Sequence, residues 1–292
     1  MNKDVTFDDL LDRLWGFDFE VTAFDWLLVC KKYRTRERVV FHNTPRNDIY
    51  EWLQKENPIL MGYNSRGYDQ YILKGIMSGL VPTEVKQVND YIVNGGNGWE
   101  FEYPERVDMP PIWDLMQQIK TFKSLKECEG NLGMSIVEST VDFNVDHKWT
   151  KEEYDEMLFY CSADVEALFP IFEFQMDAYK SKFVIAKLGK MDEETTLGMT
   201  DANITAALLG AKRVEHSDNF AYVYPSVIDK SKIPKEVLNY IDDLIEHNDL
   251  NYKPPGPKLR IDDCIIQFQQ GGLHGAKEIT FIYDEGVDFK CD

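Results

Sequence analysis

The stretch LWGFDFEVTAFDWLLVC, from Leu14 to Cys30, decides the fold. Apolar and polar residues alternate over residues 16–21, and an apolar run follows at residues 26–33 after a short turn. A third apolar run spans residues 38–41. Alternation with a period of two, with short turns between the runs, predicts a three-strand antiparallel meander.

The first predicted strand carries two acids on one face. Successive side chains of a strand point to opposite faces, so Asp18 and Glu20 share one face, while Phe17 and Phe19 share the other. Two such carboxylates lie roughly 6–7 Å apart at the backbone, and their side chains can converge on one cation. The chain has 51 acidic residues, so a D-x-E pair also arises by chance. Taken alone, the pair is better interpreted as an ordinary exposed strand face.

The composition predicts a cytoplasmic protein with a large hydrophobic core. The chain has 292 residues, 43% of them hydrophobic, which is enough for one large domain or two modest ones. Its five cysteines are scattered and form no C-x-x-C pair, which argues against a zinc knuckle and a disulfide framework. No uncharged run reaches 18 residues, and the acidic N-terminus lacks the apolar run of a signal peptide.

The net charge of −19 disfavours one class of nucleic-acid partner. A passive DNA-binding module neutralises phosphates with its own cationic side chains, which an acidic chain lacks. An enzyme that contacts phosphate through bound divalent cations does not need an excess of basic side chains, because the cations make the local electrostatic potential positive. The charge therefore argues against a binding module more strongly than against a metal-dependent nuclease.

The order of the other elements predicts an α/β protein. Helical spacing covers residues 47–57 and 68–79, with a short apolar strand at residues 59–63 between them. Residues 94–98 form a glycine-rich turn, interpreted as a hairpin or a loop tip. A capping box at residues 150–153 opens a helix that we expect to run to about residue 187. This order favours a mixed sheet flanked by helices.

Two further motifs carry acids at defined places. In MGYNSRGYDQYIL (61–73), Asn64 ends a predicted strand and Asp69 begins a helix, where the macrodipole alone favours an acid. In YCSADVEAL (160–168), Tyr160 and Asp164 are four residues apart on the capped helix and share a face. Among the fifteen tyrosines, this is the single Y-x-x-x-D.

The ordered set of three motifs resembles the DEDDy branch of the DnaQ-like 3′–5′ exonucleases, over roughly residues 15–185. The segments IWDLMQ (112–117) and SLKECEGNLGMSI (124–136) look like the exonuclease region of phage-type family B DNA polymerases. The segment IDDCIIQFQQGGLHGAKE (261–278) is similar to the stretch that introduces the polymerase palm in that family.

The resemblance implies two domains. Residues 1–190 would form a ribonuclease-H-like exonuclease domain, and residues 191–292 a helical connector followed by the truncated start of the palm. Asp292 would then be the first aspartate of the palm's metal motif, and His274 would lie beside the missing polymerase site. The fingers, the thumb and most of the palm do not fit in the remaining length. We therefore expect a fragment of a phage or prophage polymerase that does not polymerise.

The resemblance also implies a reaction and its residues. The reaction is hydrolysis of the 3′-terminal phosphodiester of single-stranded DNA or of a frayed primer 3′ end, which releases nucleoside 5′-monophosphates. Two Mg²⁺ or Mn²⁺ ions would act, with Asp18 bridging them and Tyr160 orienting the water. The implied metal ligands are Asp18, Glu20, Asp69 and Asp164, and all four with Tyr160 are the expected catalytic residues. Asn64 and Phe24 are the expected substrate contacts, Phe24 by stacking.

Two alternatives stay open at this point. One is an RNA-trimming exonuclease of the same branch, and the other is a non-catalytic nucleic-acid-binding remnant. Two basic sets are interpreted equally well as phosphate contacts or as solvated faces: Lys31, Lys32, Arg34, Arg36 and Arg38, and Lys120, Lys123 and Lys126. We further expect no membrane partner, a location in a bacterial host cytoplasm, and self-association through the apolar strands near residues 261–283.

Overall fold

The computed structural model describes residues 5–119, 123–211, 222–224, 226, 228–249, 252, 254–261, 264–269, 272–277, 279–282 and 288–291. The chain forms two compact units, Met1–Ala211 and Lys212–Asp292. Within the described residues, no helix is both long enough and apolar enough to span a bilayer. The functional boundary near residue 190 stays a prediction.

A five-stranded mixed sheet forms the centre of the first unit. Its strands are β1 (Leu14–Val21), β2 (Trp26–Lys32), β3 (Arg38–His42), β4 (Ile59–Gly62) and β5 (Ile112–Asp114). They lie in the order β3-β2-β1-β4-β5. The pairs β1–β2 and β2–β3 are antiparallel, whereas β4 and β5 run parallel to β1. The predicted meander and the predicted α/β class are confirmed, and the sheet is compatible with a ribonuclease-H-like fold.

Helices flank this sheet. In the first unit they are α1 (Phe7–Asp12), α2 (Arg46–Glu56), α3 (Asp69–Met77), α4 (Pro82–Val93), α5 (Leu125–Asn131), α6 (Lys151–Phe174), α7 (Met176–Gly189), α8 (Glu193–Leu197) and α9 (Asp201–Leu208). The predicted capping box is present at the start of α6, where the Thr150 side chain accepts from the backbone of Glu153. The glycine-rich residues 94–97 lie in a loop between α4 and a 3-10 turn, so the hairpin interpretation is wrong.

The prediction of one helix to about residue 187 is also wrong. The helix α6 ends at Phe174, and α7 begins two residues later. At the break, the Gln175 amide donates to the Leu115 carbonyl across 3.1 Å. The break also places Tyr179 where its ring stacks on Trp113, with 5.3 Å between the ring centroids. These contacts come from distant parts of the chain, so helical periodicity cannot predict the break.

The described part of the second unit contains one α-helix, a 3-10 turn (Lys230–Lys232) and short strands. The helix is α10 (Lys235–His247), and the strands are β6 (Lys258–Ile261), β7 (Cys264–Gln269), β8 (Gly272–Lys277), β9 (Ile279–Ile282) and β10 (Asp288–Cys291). Strands β6, β7 and β8 form an antiparallel sheet, and β9 pairs with β10. His274 lies in β8, while Asp292 falls outside the described residues. The palm-like assignment and self-association stay predictions.

A close approach between β1 and α6 fixes the geometry of the first unit. A Cβ atom on Gly16 would lie 3.2 Å from the Phe169 ring and 3.3 Å from Val165. These distances are too short for an ordinary side chain, so glycine at this position lets the helix lie against the strand. Because α6 carries Asp164 and β1 carries Asp18, this approach also brings two of the predicted site residues together.

We expect Gly16→Val to lower the free energy of unfolding by about 1–3 kcal/mol, because overpacking pushes α6 away from β1. The measurement is urea unfolding followed by circular dichroism. Phe169→Leu should make room for the new side chain. The double variant should therefore lose less stability than the sum of the two single losses, with a coupling of about 0.5–3 kcal/mol. Strictly additive losses would contradict the proposed contact.

Candidate metal centre

The two acids of β1 face the protein rather than solvent. Phe17 and Phe19 pack in the core on one side of the sheet. Gly16 points to α6 on the other side, and the alternation of the strand puts Asp18 and Glu20 on that same side. Glu20 is 7% exposed, and Asp18 is partly buried. An ordinary exposed strand face, the better interpretation of the pair taken alone, is therefore wrong.

Helix α6 contributes three side chains to the same place. Asp164 is 6% exposed, and it interacts with the hydroxyl of Tyr160 one turn earlier. The buried Cys161 lies between them in sequence, and its Sγ lies 3.5 Å from Oδ2 of Asp18. The i, i+3 and i, i+4 spacings put these three residues on one helix face. That face packs against the strand that carries Asp18 and Glu20.

Asp69 joins the cluster from the start of α3. Its side chain is 3% exposed, and its Oδ1 atom is buried without a hydrogen-bond partner among the described residues. A buried carboxylate oxygen without a partner is costly, because the desolvation of the charge is not compensated. Burial raises the pKa of Asp69, and the charges of Asp18 and Asp114 add to this increase. This oxygen is suited to a cation.

The loop before Asp69 is held by an acid that the sequence analysis missed. Asn64 follows β4 with a φ of 54°, in the left-handed region, and its carbonyl accepts from the N–H groups of Gly67 and Tyr68. Asp114, at the end of β5, accepts from the backbone N–H of Arg66 and of Met116, each across 3.0 Å. Asp114 thus fixes the turn that precedes Asp69 and positions it at the start of α3. The available signal was an acid directly after the apolar residues Ile112 and Trp113.

Burial and mutual repulsion hold protons on the metal-free cluster. Burial, with a contribution from the charge of Asp164, raises the pKa of Asp18 to about 7. Burial and the charge of Asp18 raise the pKa of Glu20 well above its ordinary value. The pKa of Asp164 is also raised by burial, although Lys126 opposes that effect. Bound protons reduce the repulsion between these carboxylates. A bound divalent cation would reduce it in their place.

One cation of the protein already lies in the cluster. The Lys126 ammonium forms an ion pair with Asp164 and lies 3.3 Å from Oε1 of the buried Glu129. It also lies 5.0 Å from the centroid of the Tyr160 ring. Burial lowers the pKa of Lys126, but the interactions with Asp164 and Glu129 together outweigh burial and raise it. Lys126 is therefore an internal counter-ion in this structure.

Most cations of the first predicted basic set form ion pairs with acids. The predicted set on β2 and β3 is mostly paired, with Lys31 bound to Glu166, Lys32 to Glu56 and Arg34 to Asp8. Lys120 lies outside the described residues. These ion pairs favour the interpretation of the β2–β3 set as surface charges.

The two predicted substrate contacts lie at the edge of the sheet near the acids. Phe24 is in the turn after β1 and is 36% exposed, and Asn64 is exposed directly after β4. Because β1 and β4 are parallel neighbours, their carboxyl ends meet at the same edge. Both side chains are therefore accessible at the edge where Asp69 enters, and their roles stay predictions.

The donor set of the cluster suits a metal ion. One ligand atom each from Asp18, Glu20 and Cys161 lies within 4.8 Å of the other two, so this group can hold a metal ion. Carboxylate oxygens are the ligands that Mg²⁺ and Mn²⁺ prefer. The unpartnered oxygen of Asp69 adds a further donor. The residues present thus fit hard divalent cations, and Cys161 is a donor that the sequence analysis missed.

Comparison with solved structures finds distant similarity, with no match at the level of a sequence family. The chain matches no protein-family model and no curated protein. A solved structure, phi29 DNA polymerase complexed with primer-template DNA in a post-translocation binary complex, matches with a TM-score of 0.31 and 12% identity. The match covers 60% of this chain and 34% of the polymerase chain, so this chain spans about a third of that length. A similarity this low does not assign a function.

Without metal, we expect the cluster to make the protein less stable as the pH rises from about 4 to 7. The folded state keeps protons on Asp18 up to a pKa of about 7, whereas the unfolded state releases them near 3.8. For one such group the loss is at most about 1.4 kcal/mol per pH unit. Chemical unfolding in EDTA should show a flatter profile for Asp18→Asn. The exposed Asp108→Asn is the control, and it should keep the wild-type slope.

We expect Lys126→Met to destabilise the protein in EDTA and to increase the stabilisation that Mn²⁺ provides. In EDTA the variant should lose about 1–3 kcal/mol, because Asp164 loses its partner. Removing a neighbouring positive charge should also tighten Mn²⁺ binding by about tenfold or more, so Mn²⁺ should raise the melting temperature more than in the wild type.

The matched control is Lys86→Met, because Lys86 has a similarly buried side chain and pairs with Asp90 on α4. It should lose some stability without any change in Mn²⁺ affinity. Equal Mn²⁺ affinities for Lys126→Met and the wild type would show that the ammonium does not compete with a bound cation.

Proposed function

We propose that the chain is a metal-dependent 3′–5′ exonuclease that hydrolyses single-stranded DNA 3′ ends to nucleoside 5′-monophosphates. One observation carries this proposal. Three motifs that are far apart in sequence contribute Asp18 with Glu20, Asp69, and Tyr160 with Asp164 to a single buried cluster. Chance acids on a strand and two helices have no physical reason to converge, because their repulsion opposes folding.

Within this proposal the carboxylates divide the ligand roles. Asp18, Glu20 and Asp164 would hold one Mg²⁺ or Mn²⁺, and Asp18 with Asp69 a second. Bound cations of this kind supply an activated water and stabilise the attacking and leaving oxygens of a phosphodiester. The Oδ1 atom of Asp69 supports the role of this residue as a metal ligand. The atom is buried away from water, and it has no hydrogen-bond partner among the described residues.

Tyr160 is better suited to orient a water than to deprotonate it. Burial, with the nearby charge of Asp164, raises the pKa of Tyr160 above its ordinary value of 10. The phenol therefore stays protonated at neutral pH and can exchange hydrogen bonds with a water. Its contact with Asp164 fixes the direction of the hydroxyl. Loss of this hydroxyl should slow hydrolysis without abolishing it.

The substrate class and the parent protein belong to the same proposal. A net charge of −19 suits an enzyme whose contact with phosphate runs through cations. The exposed Phe24 offers a ring on which a terminal base can stack, and Asn64 offers an amide at the same sheet edge. The palm-like segment after residue 260 favours DNA over RNA and favours a fragment of a phage-type polymerase.

The experiment is a ladder assay on 5′-labelled single-stranded DNA and RNA of the same sequence, with Mg²⁺, Mn²⁺ or EDTA. We expect stepwise shortening of DNA from its 3′ end with either cation and none in EDTA. Asp18→Asn, Asp69→Asn and Asp164→Asn should each lower the rate by at least about a thousandfold. Tyr160→Phe should lose about 10- to 100-fold, the scale of a positioned polar group.

The exposed Asp108→Asn is the matched control and should keep the wild-type rate. Thermal melts in Mn²⁺ separate lost catalysis from lost folding. Faster shortening of RNA would favour an RNA-trimming enzyme instead. Binding of DNA without any cation-dependent shortening would favour a non-catalytic domain and would overturn the proposal.

A further inference from the structure

Cys161 places a sulfur among the carboxylates of the metal centre. Its side chain is fully buried, and its Sγ lies 3.5 Å from both the backbone oxygen and Oδ2 of Asp18. A thiol that only fills the core needs no such neighbours, as Cys30 shows. Cys30 is equally buried on β2, and burial alone raises its pKa. For Cys161, the charges of Asp18 and Glu20 add to the effect of burial.

The spacing of the donor atoms fits a tetrahedral cation. With metal–sulfur and metal–oxygen bonds of about 2.3 and 2.1 Å, the edge between a sulfur and an oxygen ligand of Zn²⁺ is about 3.6 Å. The observed distance of 3.5 Å between Sγ of Cys161 and Oδ2 of Asp18 matches that edge. A Glu20 carboxylate oxygen completes the group, in which one donor atom from each residue lies within 4.8 Å of the other two.

A second, independent observation also points to a ligand here. The Asp69 carboxylate is 3% exposed and is coupled electrostatically to Asp18, and its Oδ1 accepts no hydrogen bond among the described residues. A hydrogen bond from the thiol to Asp18 gives Cys161 a partner, but it leaves Oδ1 of Asp69 without one. The site therefore has donors in excess of its internal partners, as expected of a place that receives a cation.

We propose that Asp18, Glu20 and Cys161 form a site for a thiophilic divalent cation, of the Zn²⁺ or Cd²⁺ class, that competes with the hard cations of the same centre. On binding, the thiol releases its proton to solvent as the sulfur–metal bond forms, and no redox change occurs. Thiolate ligands select softer cations than carboxylates do. The chain thus carries a soft-metal site inside a hard-metal centre.

The consequence for hydrolysis rests on the proposed exonuclease function. Three protein ligands leave a tetrahedral cation one open position. Hydrolysis needs positions for the water and for a phosphate oxygen, which six-coordinate Mg²⁺ offers. The thiophilic cation should therefore inhibit the enzyme.

The test uses the full chain titrated with Cd²⁺ and followed by the ultraviolet charge-transfer band of a cadmium–thiolate bond. We expect one band in the wild type, its loss in Cys161→Ser, and its retention in Cys30→Ser, the matched control of equal burial. The Cd²⁺ affinity of Cys161→Ser should fall by about tenfold or more, whereas its Mn²⁺ affinity should change by less than about threefold.

A band that persists in Cys161→Ser would overturn the proposal, as would cadmium NMR of the wild-type chain that shows oxygen ligands only. The NMR measurement needs no variant, so it decides the matter even where Cys161→Ser does not fold. Neither readout depends on hydrolysis. A Cys161-dependent band without Mg²⁺-dependent shortening of DNA would support the thiophilic site and reject the exonuclease function. Mg²⁺-dependent shortening without the band would support the exonuclease function and reject the thiophilic site.

Discussion

Repulsion between buried carboxylates is the constraint on which the rest of this structure depends. Asp18, Glu20, Asp69 and Asp164 raise one another's pKa or have it raised by burial, and Oδ1 of Asp69 has no hydrogen-bond partner among the described residues. Such a cluster opposes folding unless protons or cations compensate it. Its persistence in a well-packed unit is the strongest physical reason to regard it as a binding centre.

The scaffold around the cluster is rigid at the points that matter. The glycine at position 16 lets α6 lie against β1, which sets the distance from Asp164 to Asp18. At the end of β5, Asp114 accepts two backbone hydrogen bonds and holds the turn after β4, which precedes Asp69. Strands and helices thus carry the acids, and a hydrogen bond to Asp114 fixes the loop that precedes Asp69. This precision is what a site with fixed cation positions requires.

Two side chains give the centre properties beyond those of four acids. Lys126 supplies a positive charge at Asp164 and so reduces the repulsion when no metal is bound. Cys161 supplies a soft donor beside Asp18. In the proposed centre, the first would lower the affinity for any cation, and the second would change which cation is preferred. Together they would make the centre selective in a way that the four carboxylates alone are not.

The sequence by itself determined the meander, the strand and two helices that follow it, the start of α6 and the four acids of the predicted site. The period of two over residues 14–30 and the capping box at Thr150 encode the meander and the start of α6, because both are local patterns. Only the tertiary structure decided that the acids of β1 are covered by α6, that the helix breaks at Gln175, and that Lys126 and Cys161 join the site. Each of these depends on contacts between distant segments, and their energies are absent from any local pattern.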